Sequence, residues 1–479
     1  MTHRGYLAML SKAFSLTVFT CLLGGAAAVH AADGALRVGA ARVEQTGKWG
    51  PSQTGKYAHE HVYARAIVLD NGTSRAAIVS YEGPESNFSM GATIKAVAAA
   101  VDCPATNVLI THTHTHSSDS APSGSPAHRK VSADPSASIV EAIKQARAKL
   151  QPARMAYSTG ALYLNVNRDA IDPETRRWTQ GSNPDGPSDK TVGVLAFTKP
   201  DGDPIAVYVT YAMHPIDGYV SGAVSGDFPG AMSRYVEQAF GDRPVVAFAQ
   251  SPSGDQNPLY LRPSSNVMAT RAGNPITGFQ MNREFSEGPL RMADMDAAEH
   301  GGKGAPAADP KVLDDMFRFI ESEGQVFGEE VIRVMTFMKH GSATARIAGS
   351  QKIVSCPGRA RTNGDPMDPK TREGMKANYV DTPPVELHVA MLGLGPVALT
   401  SINTEVYTLI GARIHDEAPM KDTLIATLAN ERIGGYVPDD SAYGHETFQV
   451  LLSNFKPGCA ERGITDAVVE LETDYLNGR

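Results

Sequence analysis

Cysteine is scarce, with four in 479 residues. That excludes a disulfide-built scaffold and leaves the hydrophobic core to hold the fold. Aromatic residues are also few, at 7%, while 45 Gly and 31 Pro point to many loops. There is no basic excess: 44 Lys and Arg face 52 Asp and Glu, a formal net charge of -8. A nucleic-acid binder carries a basic face, and this balance argues against one. No internal repeat is present, and no long apolar run follows the first thirty residues. What remains is globular composition, 42% hydrophobic and 20% charged, which excludes disordered, collagen-like and coiled-coil chains. The length allows roughly two or three domains. The chain is an enzyme or a binding protein, and composition does not choose between them.

The N-terminus reads as an address label. Arg4 and Lys12 form a positive start, and Ala13 to Val29 is apolar or small and uncharged. The run ends in Val29-His30-Ala31-Ala32, a small-residue cleavage pattern. Residues 1–31 are therefore expected to be a signal peptide, and residues 32–479 the mature chain, periplasmic or secreted. The apolar core is short for a bilayer span of about 20 residues, and Gly24-Gly25 interrupts it. Removal leaves 42 basic against 52 acidic residues, a net charge of -10. Three cysteines remain, and Cys356 and Cys459, each beside Pro-Gly, could pair in an oxidising compartment.

Along the mature chain, Ala76–Glu82 reads as a buried strand, Gly91–Val101 as a helix and Asn107–Thr111 as a second strand. That unit favours a parallel pair. Ser138–Leu150 is a second amphipathic helix. Val192–Phe197 and Ile205–Tyr211 form a hairpin, a helix runs from Pro229 to Ala239, and Val245–Gln250 is a further strand. Residues 266–310 are irregular and suggest a long surface or substrate-covering loop. Val312–Lys339 is a long helix, Glu386–Ile402 a hairpin, Glu405–His415 a helix and Thr423–Leu428 a strand. Strands and helices mix without a clean break. The expectation is one large mixed α/β domain with mixed sheets.

The segment THTHTHS at 111–117 is the strongest chemical signal. His112, His114 and His116 alternate with Thr after a hydrophobic strand, so in extended backbone the three imidazoles share one face. They would stand at the C-terminal end of a parallel strand, where α/β sheets gather ligands. Neutral imidazole is the commonest metal ligand, and catalytic zinc takes three protein ligands plus water. A polar loop without metal is the plainer alternative. Other candidates also follow strands. His214 could be a structural histidine, Glu405 a first-turn residue favoured by the helix dipole, and Tyr436 an ordinary loop aromatic. Ser225-Gly226-Asp227 and Ser253-Gly254-Asp255 could be simple turns.

Taken in order, these segments resemble the neutral/alkaline non-lysosomal ceramidase family. THTHS at 113–117 is similar to that family's THTHSGP, and YAMHP at 211–215 to its second zinc-histidine segment. SGDFPG at 225–230 and FAQSPSGDQNP at 248–258 resemble its SGD and GD.SPN segments. INTEVYTLIGARI at 402–414 and LANERIGGYVPDDSAY at 428–443 are similar to its two later motifs. The resemblance implies that His114, His214, Glu405 and Tyr436 hold a catalytic Zn2+. It implies that His116 sits beside the scissile amide as proton carrier or oxyanion partner, with Tyr436 helping to stabilise the oxyanion. Asp255 would orient a ligand or substrate hydroxyl. His112 has no counterpart. Asn257 replaces the family serine, Ser118-Asp119-Ser120 replace its GPGG, and the family's C-terminal immunoglobulin-like domain is not apparent.

The activity implied is hydrolysis of an N-acyl amide, as in ceramide plus water to sphingoid base plus fatty acid, by zinc-activated water. The partner expected is a small-molecule or lipid amide, with no nucleic acid and no transmembrane span in the mature chain. The acidic balance argues against docking on anionic membranes, so a lipid would be captured by apolar contact. Two other readings stay open. An amidohydrolase-type metal hydrolase of a small cyclic amide or ester predicts a barrel and a second metal. A non-catalytic binding protein predicts that His114 and His214 lie far apart.

Overall fold

The computed structural model describes residues 34–46, 59–83, 89–116, 134–173, 176–218, 224–259, 310–339, 341–364, 377–430 and 435–479. The expected signal peptide and the expected covering loop at 266–310 lie outside these, apart from Pro310 at the start of a helix. The architecture is mixed α/β, with several sheets that combine parallel and antiparallel pairs.

The first sheet contains β1 (Arg37–Glu44), β2 (Tyr63–Asp70), β3 (Arg75–Tyr81) and β4 (Val108–His112), in the order β4-β3-β2-β1. β3 and β4 are parallel, joined through α1 (Met90–Val101) as the strand-helix-strand pattern predicts. α2 (Ser136–Ala148) buries Ile139, Ala142, Ile143 and Ala146, residues at helical spacing, in the same core as α1 and the sheet.

β5 (Arg154–Ala161), β8 (Thr191–Thr198), β9 (Pro204–Tyr211) and β10 (Val245–Gln250) make a second sheet. β8 and β9 form the predicted antiparallel hairpin, and β9 and β10 are parallel. Between β5 and β8 lie β6 (Asn165–Ile171) and β7 (Trp178–Asn183), which form a small antiparallel sheet with β11 (Gln256–Pro258). α3 (Asp227–Ala239) packs on α4 (Pro310–Phe337). Phe228, Phe248 and Phe327 meet beneath them in one apolar cluster.

The last sheet joins the long hairpin of β12 (Ile347–Arg361) and β13 (Tyr379–Leu394) to β14 (Val397–Ile402) and β16 (Asp422–Thr427). β14 and β16 are parallel. β15 (Glu405–Val406) and β17 (Tyr436–Val437) form a two-residue parallel pair. α5 (Thr408–Glu417) and α6 (Ala460–Leu476) cover this sheet through Ile410, Ile414, Ile464, Val468 and Leu471.

Two local expectations are corrected. The helix predicted from Glu405 begins only at Thr408, because Glu405 and Val406 are drawn into the pair with Tyr436 and Val437. The three-histidine alternation stops at His112. His114 has φ +64°, a left-handed backbone uncommon for a residue with Cβ, so a single extended face does not continue past it.

The buried Arg65 is paired on two sides. Arg65 donates to Glu82 and, at 3.3 Å, to Glu237, tying β2 to α3. Cys356 and Cys459 form a disulfide across 103 residues, joining β12 to the start of α6, and Cys103 is free. Such a bridge acts mainly by restricting the unfolded chain, and for a loop this long it contributes about 2–5 kcal/mol. The Cys356→Ser, Cys459→Ser double variant should unfold at lower denaturant with that loss of stability. An unchanged midpoint in chemical denaturation would show that the hydrophobic cluster under α6 holds the region alone.

Candidate metal centre

Three strands, β4, β9 and β14, each half of a parallel pair, lead from their C-terminal ends to one place. The chain leaves β4 at His112 and reaches His114 two residues later. It leaves β9 at Tyr211 and reaches His214, and leaves β14 at Ile402 and reaches Glu405. The imidazoles of His114 and His214 and the carboxylate of Glu405 offer ligand atoms within 4.8 Å of one another, and all three residues are buried. Glu405 Oε2 lies 2.9 Å from His214 Nε2, and Oε1 lies 3.6 Å from His114 Nε2. Tyr436 is the register partner of Glu405 across the β15–β17 pair and is 7% exposed.

The hydrogen bond behind His214 decides its tautomer. Its Nδ1 lies 3.0 Å from the carbonyl oxygen of Gln256, an acceptor only, so Nδ1 carries the hydrogen. In the neutral ring Nε2 then bears a lone pair, and it faces a carboxylate oxygen. Two acceptors at 2.9 Å need a positive charge between them, either a proton or a cation. Burial pushes His214 down to about 4, reinforced by the Arg168 charge and opposed by Glu405. Burial alone would raise Glu405, but His114 and His214 hold it well below the usual carboxylate range. A neutral His214 imidazole beside an ionised carboxylate suits a divalent cation. His114 Nδ1 is buried without a hydrogen-bond partner among the described residues.

His116 stands beside this group without joining it. Its Nε2 is 3.4 Å from His114 Nε2, and the two rings meet edge to face. Burial, then the His114 charge, lowers its pKa well below the ordinary value, so the ring is neutral near pH 7. His112 belongs to the core instead. It is 2% exposed, packs beside Tyr81, and burial lowers it to about 3.

Asp255 faces the protein and not the three ligand groups. Its Oδ1 accepts from the Thr408 backbone N–H at 2.9 Å and the Thr408 hydroxyl at 2.8 Å. Its Oδ2 accepts from Asn167 Nδ2 at 2.9 Å. It thereby clamps the start of α5, three residues beyond Glu405, against β6. The Ser225–Asp227 segment is a helix start. Asp227 accepts from the Gly218 and Phe228 backbones at 2.9 and 2.7 Å, which is turn chemistry.

Sequence reading missed Arg168. Its guanidinium is buried, donates to the Gly254 carbonyl and to Asn257 Oδ1 at 3.2 Å, and lies 5.5 Å from the centre of the Tyr436 ring. Its charge reaches both His116 and His214, lowering each. The only signal was the polar run Asn165, Asn167, Arg168, Asp169 inside a strand. Buried polar residues in that number demand partners.

Burial pushes the Asp255 carboxyl up to about 7, against the hydrogen bonds from Thr408 that pull it down. The unfolded value is about 3.9. Between those pH values the native state holds a proton that the unfolded chain has released, so stability falls as pH rises through that window. In metal-free protein, Asp255→Asn should flatten the decline of melting temperature between about pH 4 and pH 7. Parallel melting curves for the two proteins would contradict the assignment.

Residues 39–362 match the family model described as neutral/alkaline non-lysosomal ceramidase, N-terminal. Neutral ceramidase B of Dictyostelium discoideum is 30% identical over 290 residues, which cover 53% of this chain and 39% of that protein. The match thus spans well under half the length of that relative. The crystal structure of neutral ceramidase from Pseudomonas aeruginosa superposes with a TM-score of 0.62 at 17% identity, over 92% of this chain and 75% of that one. A ceramidase complexed with C2 gives 0.62 at 16%, over 93% and 76%. At that identity the two structures speak for the fold, and the family model, which covers more than half of the chain, speaks for descent: the chain belongs to the neutral/alkaline non-lysosomal ceramidase family.

Proposed function

We propose that the protein is a metal-dependent hydrolase of N-acyl amides, with ceramide as the substrate class. The observation that carries the reading is the buried convergence of His114, His214 and Glu405, from three separate strand ends. The family supports an amide-bond hydrolase, and a relative of the same fold is described as complexed with C2. His114, His214 and Glu405 would hold the ion, with Tyr436 as a fourth ligand from its place opposite Glu405. Two imidazoles and a carboxylate are a ligand set that catalytic Zn2+ takes. When bound, it supplies a polarising charge and a water of lowered pKa.

The protein's own groups then divide the work. His116, neutral and facing the ligand group, takes the proton released as water adds to the carbonyl carbon, and returns it to the amine as the carbon-nitrogen bond breaks. The Arg168 guanidinium and the Tyr436 hydroxyl bring positive potential and a donor to the side where the carbonyl oxygen gains charge. Asp255 acts through position, since its carboxylate fixes the segment that carries Glu405. The position to which the family's serine carries over holds Asn257, so no serine nucleophile stands there and the pathway is direct addition of water.

An exported location fits both the apolar N-terminal run and the disulfide at Cys356–Cys459. Residues 32–479 would act as one catalytic domain. No helix among the described residues is long and apolar enough to cross a membrane.

The test is turnover of N-acyl-sphingosine beside N-acyl amino acids and simple esters. The reading expects N-acyl-sphingosine to be cleaved to free amine and fatty acid, chelator to abolish this, and added Zn2+ to restore it. Hydrolysis confined to esters, or unaffected by metal removal, would contradict it. His116→Ala should keep the metal and lose about 10²–10⁴-fold in kcat, the usual scale for a general acid-base group.

A further inference from the structure

Asn257 sits at the middle of β11, 4% exposed, with its neighbours committed elsewhere. The Gln256 carbonyl receives His214 Nδ1, and the Gln256 side chain bonds to Pro187 and Ser188, at 2.9 and 2.6 Å. Alternation along the strand sends the Asn257 side chain to the other face. There Arg168 Nη1 donates to Asn257 Oδ1 at 3.2 Å. A guanidinium has donors and no acceptor, so the amide must present its oxygen to Arg168 and its NH2 group away from it. Among the described residues, no hydrogen bond takes up that Nδ2. The result is a fixed, neutral, two-hydrogen donor. Its strand is hydrogen-bonded to the metal-ligand candidate His214, and the guanidinium that holds it also lies over the Tyr436 ring.

We infer that Asn257 Nδ2 binds the acyl carbonyl oxygen of the substrate and donates to it as the oxygen becomes negative. The inference rests on the hydrolase reading and assigns a catalytic residue within it. As water adds to the carbonyl carbon, the π electrons move onto the oxygen, and the preset amide donor meets that charge without reorganising. When the intermediate collapses, the carbonyl reforms, the carbon-nitrogen bond breaks and the amine leaves with a proton. An amide nitrogen is no nucleophile, so the residue stabilises charge without forming an acyl-enzyme. Arg168 is the positioning residue: it sets which end of the amide faces the substrate.

Two variants separate donation from packing. Asn257→Ala removes the whole group, and Asn257→Asp keeps an oxygen for Arg168 while deleting the donor. Each is compared with wild type as zinc-loaded protein, by zinc content and melting temperature, by kcat and KM on N-acyl-sphingosine, and by calorimetric affinity for dodecanoate. Dodecanoate carries the same acyl oxygen without requiring turnover. Both variants are expected to retain zinc and fold, to lose about 10²–10³-fold in kcat with KM changed less than about threefold, and to bind dodecanoate about tenfold more weakly. An Asn257→Ala protein with wild-type kcat and dodecanoate affinity overturns the inference. So does an Asn257→Asp protein equal to wild type, which would make holding Arg168 the residue's only task. If wild type cleaves no N-acyl substrate yet Asn257→Ala still weakens dodecanoate, the donor stands and the hydrolase reading falls.

Discussion

Two acceptors facing each other in a buried pocket set the terms for the rest of this molecule. The Gln256 carbonyl fixes the His214 tautomer, so the Nε2 lone pair meets the Glu405 carboxylate at 2.9 Å. Burial opposes a proton on the imidazole, with His214 pushed to about 4. A divalent cation would resolve the conflict, because it would attract both atoms, with His114 within reach of the same place. The arrangement has to be held open before the ion arrives, and much of the surrounding polar structure serves that end.

The holding is done by backbone and carboxylate. Three parallel strand pairs bring His114, His214 and Glu405 to one place, which no local segment could do. Asp255 clamps Thr408, and through it the three-residue step to Glu405. β11 receives His214 on its backbone and presents Asn257 from its side. Farther out, Arg65 between Glu82 and Glu237 links the first sheet to α3, and removing one partner of such a buried group typically costs about 3–5 kcal/mol. These are charged and polar groups placed where hydrocarbon would pack more cheaply, a cost that positioning explains.

Much of this was legible in the sequence because it follows from short-range pattern. The β3–α1–β4 unit is legible because an apolar run, an Ala-rich helical stretch and a second apolar run follow in order. The Cys356–Cys459 pair was suggested by the Pro-Gly beside each cysteine and is present, although Cys356 lies inside β12 and not in a loop. His114 and His214 stand after strands whose apolar runs are obvious. The failures are equally physical. Glu405 looks like a helix-opening acid because Thr408–Glu417 is a helix, and only its pairing with Tyr436, thirty-one residues on, makes it a strand residue. The left-handed turn at His114 is invisible to a rule that assumes extended backbone, so His112 was grouped with the wrong face. Arg168 was passed over because its meaning lies in Gly254, Asn257 and Tyr436, all brought to it by tertiary structure.

The cation is the point on which the site depends. The direct measurement is elemental analysis of purified wild type and of Glu405→Gln, a substitution that keeps the shape and removes the charge. One tightly held zinc per wild-type chain is expected, with a large loss from the variant and both proteins folded. Wild type that binds no divalent metal after exposure to Zn2+, or a variant that holds it equally well, would contradict it.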